Sequence, residues 1–66
     1  MEQLTPAIVK ARATAAHMTI RQLMLHAGLP ESTFWRWETG KVDKPHPVTV
    51  QKISDALDAI EKERAQ

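Results

Sequence analysis

The chain has 66 residues, 42% of them apolar, and it contains no cysteine. A chain this short builds one domain around one small core, which excludes a second domain and disfavours the deep cleft of an enzyme. The formal net charge is +1, but it is unevenly distributed. Residues 1–52 carry seven Lys/Arg against four Asp/Glu, whereas residues 53–66 carry two against four. A polyanionic partner is therefore expected to bind residues 1–52.

Neither a membrane span nor a signal peptide is expected from the sequence. Its apolar stretches are far shorter than the roughly 18 residues of a membrane span, and the N-terminus lacks the basic and then apolar pattern of a signal peptide. The lack of cysteine excludes disulfides and thiolate metal sites and suits a reducing compartment. We therefore expect a soluble intracellular protein.

The first predicted helix begins after Thr5 and runs to about Ala16. Thr5 is a favourable N-cap, and Pro6 suits the first helical position because its missing amide hydrogen is not needed there. The residues expected to face inward are Leu4, Ile8 and either Ala11 or Ala15.

The second predicted helix begins near Ile20. Thr19 and Gln22 have the spacing of a capping box, in which each side chain accepts a hydrogen bond from an amide at the helix start. Leu23 marks the inward face, and the helix ends at Gly28, which readily takes the left-handed backbone angles of a tight turn.

The third predicted helix starts at Pro30, continues through Trp37 and ends at Thr39-Gly40. Successive side chains on a helix are about 100° apart, so Trp35 and Trp37 cannot share a face. Phe34 and Trp37 are predicted to enter the core. The opposite face then carries Ser32, Trp35, Arg36 and Thr39, with Thr33 and Glu38 on the flanks.

The fourth predicted helix spans about 47–64, after a loop whose prolines exclude an earlier start. His46 is placed as its cap. The apolar residues recur three and four apart, which is typical of a helix that packs on others; they are Val50, Ile53, Leu57 and Ile60. No segment alternates like a strand, so the fold class is predicted to be all-α.

Two stretches resemble the phage Cro and CI repressor-like family, also called the XRE family. "TIRQLMLHAGLPESTFWRWETGK", residues 19–41, is similar to its helix-turn-helix, and "KPHPVTVQKISDAL", residues 44–57, is similar to its next helix. The resemblance covers roughly residues 5–57. It implies a compact four-helix lambda-repressor-like domain over residues 1–66, with the motif at about 19–39. Asp58 stands where the family usually has a helix-ending glycine, so the last helix is expected to be extended, with no fifth helix.

By this resemblance, the protein is a sequence-specific regulator that binds double-stranded DNA with its third helix in the major groove. Arg36 is the strongest candidate for reading a base, because guanidinium groups pair with guanine O6 and N7. Ser32 and Thr33 are weaker candidates. Glu31 has two interpretations, accepting from cytosine N4 or favouring the helix dipole. Trp35 packs on a base or sugar, a loop or a partner subunit, and the sequence does not choose among them.

The resemblance also implies contacts to phosphate from helix starts and from the loop after the third helix. The candidates are Thr19, Arg21, Thr39, Lys41 and Lys44. The two lysines are equally consistent with solubilising loop charges. The family further pairs an arginine of the first helix with the end of the recognition helix, here Arg12 with Glu38, although Arg12 is one residue out of register. Met24 replaces a small alanine of the family, so the helices separate slightly or the thioether bends aside.

A homodimer is expected, since two recognition helices one DNA turn apart read an inverted repeat. The fourth helix is expected to extend past the globule, and Leu57 and Ile60 on it are the candidate dimer contacts. The alternative is that this helix end is frayed and forms no dimer contact. The family resemblance implies a stand-alone Cro-type repressor in the cytoplasm of a bacterium or phage-infected cell. No cofactor, metal, membrane or small-molecule ligand is expected.

Two other functions remain open from the sequence. "GLPESTFWRW" also resembles the recognition segment of small excisionase-like DNA-bending proteins, which place a strand wing after it. A protein-binding module of antirepressor or antitoxin type would use Trp35 and the fourth-helix stripe as its anchor. Enzymatic motifs are missing, and the three histidines lack metal-site spacing.

Overall fold

The computed structural model describes residues 4–64, and in this part of the chain it contains four α-helices and no strand. The helices are α1 Pro6–Ala15, α2 Ile20–Ala27, α3 Glu31–Glu38 and α4 Pro47–Arg64. The all-α prediction is confirmed, and each predicted helix boundary falls within one residue of the observed one. Residues 1–3 and 65–66 of the predicted domain lie outside the described residues.

Side chains close the helix starts as their sequence signatures predicted. Thr5 Oγ1 accepts from the Ile8 amide at 3.2 Å. At α2 the capping box is complete, because Thr19 Oγ1 accepts from the Gln22 amide at 3.1 Å while Gln22 Oε1 accepts from the Thr19 amide at 3.0 Å. His46 Nδ1 accepts a hydrogen bond at 3.1 Å from the backbone two residues on, which confirms its role as a cap for α4.

Helices α1 and α2 end in the same backbone motif, in which one residue with positive φ turns the chain. At α2 this residue is the predicted Gly28, with φ 75°, and at α1 it is His17, with φ 59°. In both cases the next amide donates to the carbonyl five residues earlier, at 2.9 Å. This pair of bonds satisfies carbonyls that the helix end would leave open. No sequence signal predicts that a histidine takes this conformation.

All four helices contribute to one buried apolar cluster. Its largest fully buried side chains are Phe34, Leu23, Met24, Ile53, Leu57 and Val9. The Met24 thioether lies inside this core, where α2 packs against α3 and α4. The flexible methionine is therefore a core residue at the position where the resembled family has a small one.

The prediction that Ala11 or Ala15 of α1 faces inward was wrong. Val9, Ala13 and Ala16 are the buried residues, whereas Ala11 and Ala15 are exposed. Leu4 and Ile8 are half-buried, in agreement with their partial inward placement. The error has a simple cause: α1 is rich in alanine, so the apolar pattern shows little contrast between its faces.

Arg12 does not pair with Glu38. Its guanidinium binds Glu61 of α4 through two hydrogen bonds of 2.6 and 2.9 Å and reaches Asp58 at 3.1 Å. Glu38 is bound instead by Lys10, at 2.9 Å. Residues two apart on a helix point about 200° apart, so when Lys10 reaches α3, Arg12 faces α4.

The Arg12–Glu61 bond makes a pH-dependent contribution to stability. The hydrogen bond from Arg12 lowers the pKa of Glu61 below its ordinary value of 4.5. A lowered folded-state pKa stabilises the fold above the ordinary value, and that stability is lost as pH falls through the folded value. Both side chains are partly exposed, so the contribution is at most about 1 kcal/mol.

Glu61→Gln is therefore expected to lower the urea midpoint at pH 7 and to have little effect well below pH 4.5. The measurement is urea unfolding of both proteins at several pH values. Glu63→Gln, at an exposed position of the same helix, is the control and should show no such gap. A gap between wild type and Glu61→Gln that stays constant down to pH 3 would contradict the prediction.

The apolar stripe on α4 that was the candidate dimer contact is buried within the single chain. Leu57 is 0% and Ile60 is 5% exposed in the single chain, and both belong to the core cluster with Ile53. The expectation that Ile60 projects beyond the globule was wrong, because this part of α4 packs in the core cluster, with the Arg12–Glu61 ion pair beside it. Leu57 and Ile60 are accordingly removed as dimer contacts.

None of the helices described is both long enough and apolar enough to cross a membrane.

Candidate nucleic-acid interface

The two faces of α3 have opposite roles, as predicted from its spacing. Phe34 is 0% and Trp37 is 8% exposed, and their rings pack edge to face with centroids 6.4 Å apart. Trp35 is 38% exposed on the other side. The remaining exposed residues of that outer face are Ser32, Arg36 and Thr39, and Thr33 on the flank is half-buried.

α3 is set at a fixed angle to α2 by a three-residue turn. Gly28 ends α2 with left-handed backbone angles, and Pro30 precedes α3 with φ −67°. Leu29 between them packs against the core cluster. Because both ends of the turn are conformationally restricted and its middle is anchored, the outer face of α3 is presented rigidly.

Trp35 is held by its own domain from three directions. Its ring packs edge-on against Phe34, with centroids 5.1 Å apart and planes at 75°. Its Nε1–H donates to Glu31 Oε2 at 2.9 Å. The ammonium of Lys10 lies 5.9 Å from the ring centroid, within range of a cation–π attraction. These contacts fix an exposed aromatic ring beside Arg36.

Both carboxylates of α3 are engaged within the chain, and the arginine between them is not. Glu38 binds Lys10, and Glu31 accepts from Trp35. Among residues 4–64, no side chain forms a hydrogen bond or ion pair with the Arg36 guanidinium. Arg36 is thus the charged side chain of α3 that has no partner among the described residues.

The phosphate candidates differ in what their polar groups can still do. Thr19 Oγ1 accepts from a backbone amide, so its hydroxyl proton remains free to donate. Thr39 Oγ1 donates its proton to the Trp35 carbonyl at 2.8 Å, and that bond must break before Thr39 donates to a phosphate. The cationic candidates, all exposed, are Arg21, Lys41 and Lys44.

Lys10 is a residue that sequence reasoning missed. It reaches both Trp35 and Glu38 from α1, across 28 positions in the chain for the ion pair. A lysine on an exposed helical face carries no signal for a contact at that distance. The Glu31–Trp35 bond, by contrast, has a readable signal, because residues four apart on a helix are neighbours.

No group of three His, Asp or Glu side chains that could hold a metal ion occurs within residues 4–64.

Trp35 aside, the large apolar side chains exposed in this part of the chain are Leu25 and Val48. The exposed features of α3 are therefore an unpaired guanidinium, a fixed aromatic ring and short hydroxyl side chains. These are the groups that contact base edges and sugars in nucleic-acid grooves.

A scan against protein-family models, a search of curated proteins and a search of solved structures found no match for this chain.

Proposed function

We propose that this protein is a sequence-specific regulator that binds double-stranded DNA, with α2 and α3 as a helix-turn-helix and α3 in the major groove. The observation that carries the proposal is the outer face of α3, where Arg36 is exposed and unpaired among the described residues while both neighbouring carboxylates are bound. A major groove about 12 Å wide accommodates an α-helix of about the same diameter. A core of Phe34 and Trp37 fixes the opposite face of the same helix.

Arg36 is the base-reading residue with the most specific chemistry. Its two terminal nitrogens donate to guanine O6 and N7. Ser32, one turn earlier on the same face, donates or accepts at a base or a phosphate. Thr33 is half-buried on the flank, so its methyl group reaches only a thymine that lies at the edge of the interface.

The sequence-independent part of the affinity comes from cations and hydroxyls around α3. Lys41 and Lys44 follow α3 in an exposed loop, and Arg21 lies in the first turn of α2. The free hydroxyl proton of Thr19 is at the same helix start, where backbone amides also favour a phosphate. These contacts position the protein without selecting bases.

We further propose that the protein acts as a homodimer on an inverted repeat, in the manner of a Cro-type repressor that occupies a promoter in the cytoplasm. Two copies of α3 about 34 Å apart would read two half-sites of such a repeat. Since Leu57 and Ile60 are buried in the single chain, the subunit contact lies elsewhere on the surface.

The two other functions lose support from particular features. An excisionase-like protein needs a strand wing after the recognition helix, but residues 41–46 contain no strand and lead directly into α4. A protein-binding module anchored on the α4 stripe needs that stripe exposed, and Ile53, Leu57 and Ile60 are all buried.

Selection of bound sites from random duplex DNA tests the proposal. We expect enriched sites made of two symmetric half-sites that contain guanine where Arg36 lies. Affinity for them should fall steeply with added salt, since each phosphate contact releases counterions. Failure to enrich any sequence at low salt would refute sequence-specific binding. Enrichment of a single, asymmetric site would refute the homodimer alone.

A further inference from the structure

We infer that Trp35 is a positioning residue for Glu31, holding its carboxylate to accept a hydrogen bond from cytosine in the major groove. The inference rests on the proposed function, because it concerns which base pair the outer face of α3 recognises. Its basis is that the exposed carboxylate of Glu31 accepts a hydrogen bond from the indole of Trp35, whose ring packs against Phe34.

The indole occupies one of the two carboxylate oxygens. Trp35 Nε1 donates to Glu31 Oε2 at 2.9 Å, across one helical turn. Among residues 4–64, Oε1 of Glu31 has no hydrogen-bond partner. Glu31 is the first residue of α3, and the start of a recognition helix approaches base edges. The free oxygen is therefore an acceptor held near the groove.

The indole is itself held by neighbours other than Glu31, one in α3 and one in α1. Phe34, which anchors its edge, is 0% exposed. Lys10 covers the ring from α1 at 5.9 Å and is tied down by Glu38 at 2.9 Å. The orientation of Glu31 is thus set before DNA binds, and less rotamer entropy is lost on binding than for a free glutamate.

The chemistry of the free oxygen selects cytosine. In the major groove cytosine presents an N4–H₂ donor, whereas guanine presents two acceptors and thymine presents one acceptor and a methyl group. A carboxylate fixed against guanine or thymine meets lone pairs and is repelled. Adenine offers a donor beside an acceptor, so it satisfies the carboxylate less well.

The negative charge of Glu31 also repels DNA, an effect on affinity opposite to that of its hydrogen bond to cytosine. An acid with only a structural role would not show both repulsion and base selection. A carboxylate facing a polyanion weakens binding to every sequence, while its hydrogen bond strengthens binding to the correct one. Glu31→Ala is thus expected to bind random duplexes more tightly and to discriminate among them less.

The test compares site selection by wild type, Glu31→Ala, Trp35→Phe and the double variant. Trp35→Phe keeps a ring against Phe34 and under Lys10 but removes the N–H donor. We expect wild type to prefer cytosine about tenfold at one half-site position. Glu31→Ala should abolish that preference and Trp35→Phe should reduce it by about threefold or more, with the guanine position of Arg36 unchanged. The double variant should discriminate no worse than Glu31→Ala, because the two residues act as one unit.

A second measurement addresses the hydrogen bond without altering the tryptophan. The Nε1–H proton signal of Trp35 in the free protein is expected to move upfield in Glu31→Ala, where its acceptor is missing. An unchanged signal would refute the bond.

The outcomes separate this inference from the proposed function. If wild type enriches a site but Trp35→Phe keeps the full cytosine preference, Trp35 does not position Glu31. If Glu31→Ala changes preference at no position, Glu31 reads no base. In both cases the regulator function stands. If wild type enriches no sequence, the proposed function fails and this inference fails with it.

Discussion

Trp37→Ala is expected to lower the free energy of unfolding by about 3–5 kcal/mol, the usual loss when a buried aromatic side chain is truncated to alanine. Trp37 is 8% exposed and packs against the fully buried Phe34, so little of the resulting cavity can be filled by neighbours. A 66-residue chain without disulfides rarely has more than about 3–5 kcal/mol in total. Most molecules of the variant should therefore be unfolded at room temperature, which circular dichroism and thermal melting measure.

Trp35→Ala is the matched control, since it removes the same side chain two residues earlier on the same helix. Trp35 is 38% exposed, and its loss removes one edge-on ring contact and one hydrogen bond to Glu31. The expected cost is on the order of 1 kcal/mol, so the variant should stay folded, with its defect in the proposed DNA binding. If Trp35→Ala unfolds while Trp37→Ala does not, the assignment of the two faces of α3 is reversed.

Arg36→Ala has the second large expected effect, on specificity rather than on folding. The bidentate contact of an arginine with guanine discriminates against the wrong base by about 1–3 kcal/mol, or roughly 5- to 150-fold in affinity. Since the Arg36 guanidinium holds no partner among the described side chains, its removal should not destabilise the domain. Measured affinities for the selected site and for its three single-base variants at the guanine position should become nearly equal.

Lys41→Ala provides the comparison for Arg36→Ala. Lys41 is exposed in the loop after α3, so it is expected to contact phosphate rather than a base. Its replacement should weaken binding to all sequences about equally and reduce the salt dependence by about one counterion. A loss of base preference in Lys41→Ala, or an unchanged preference in Arg36→Ala, would exchange the roles assigned to these two residues.

The helix starts, the glycine turn after α2 and the faces of α3 were predictable from the sequence because their causes are local. Thr19 and Gln22 make the capping box that their spacing indicates, and Gly28 takes the left-handed turn. The same holds for the separation of Trp35 from Trp37, which follows from helical geometry alone.

The contacts between helices were not predictable in the same way. Lys10 is exposed and Arg12 half-buried on the same alanine-rich helix, and only the packing of α1 decides which carboxylate each one reaches. The burial of Ile60 likewise depends on α1 lying along the end of α4, held by Glu61. Sequence periodicity identified an apolar stripe on α4 but not the surface that covers it.

The end of α1 has a consequence for engineering the protein. His17 adopts φ 59°, in the region that glycine enters without steric cost, at the point where α2 uses Gly28 for the same motif. His17 therefore carries backbone strain that a glycine would relieve. It lies at an exposed position after the end of α1 and is not part of α3. Stability and the proposed selection of a DNA sequence are therefore open to adjustment at different places in the same small domain.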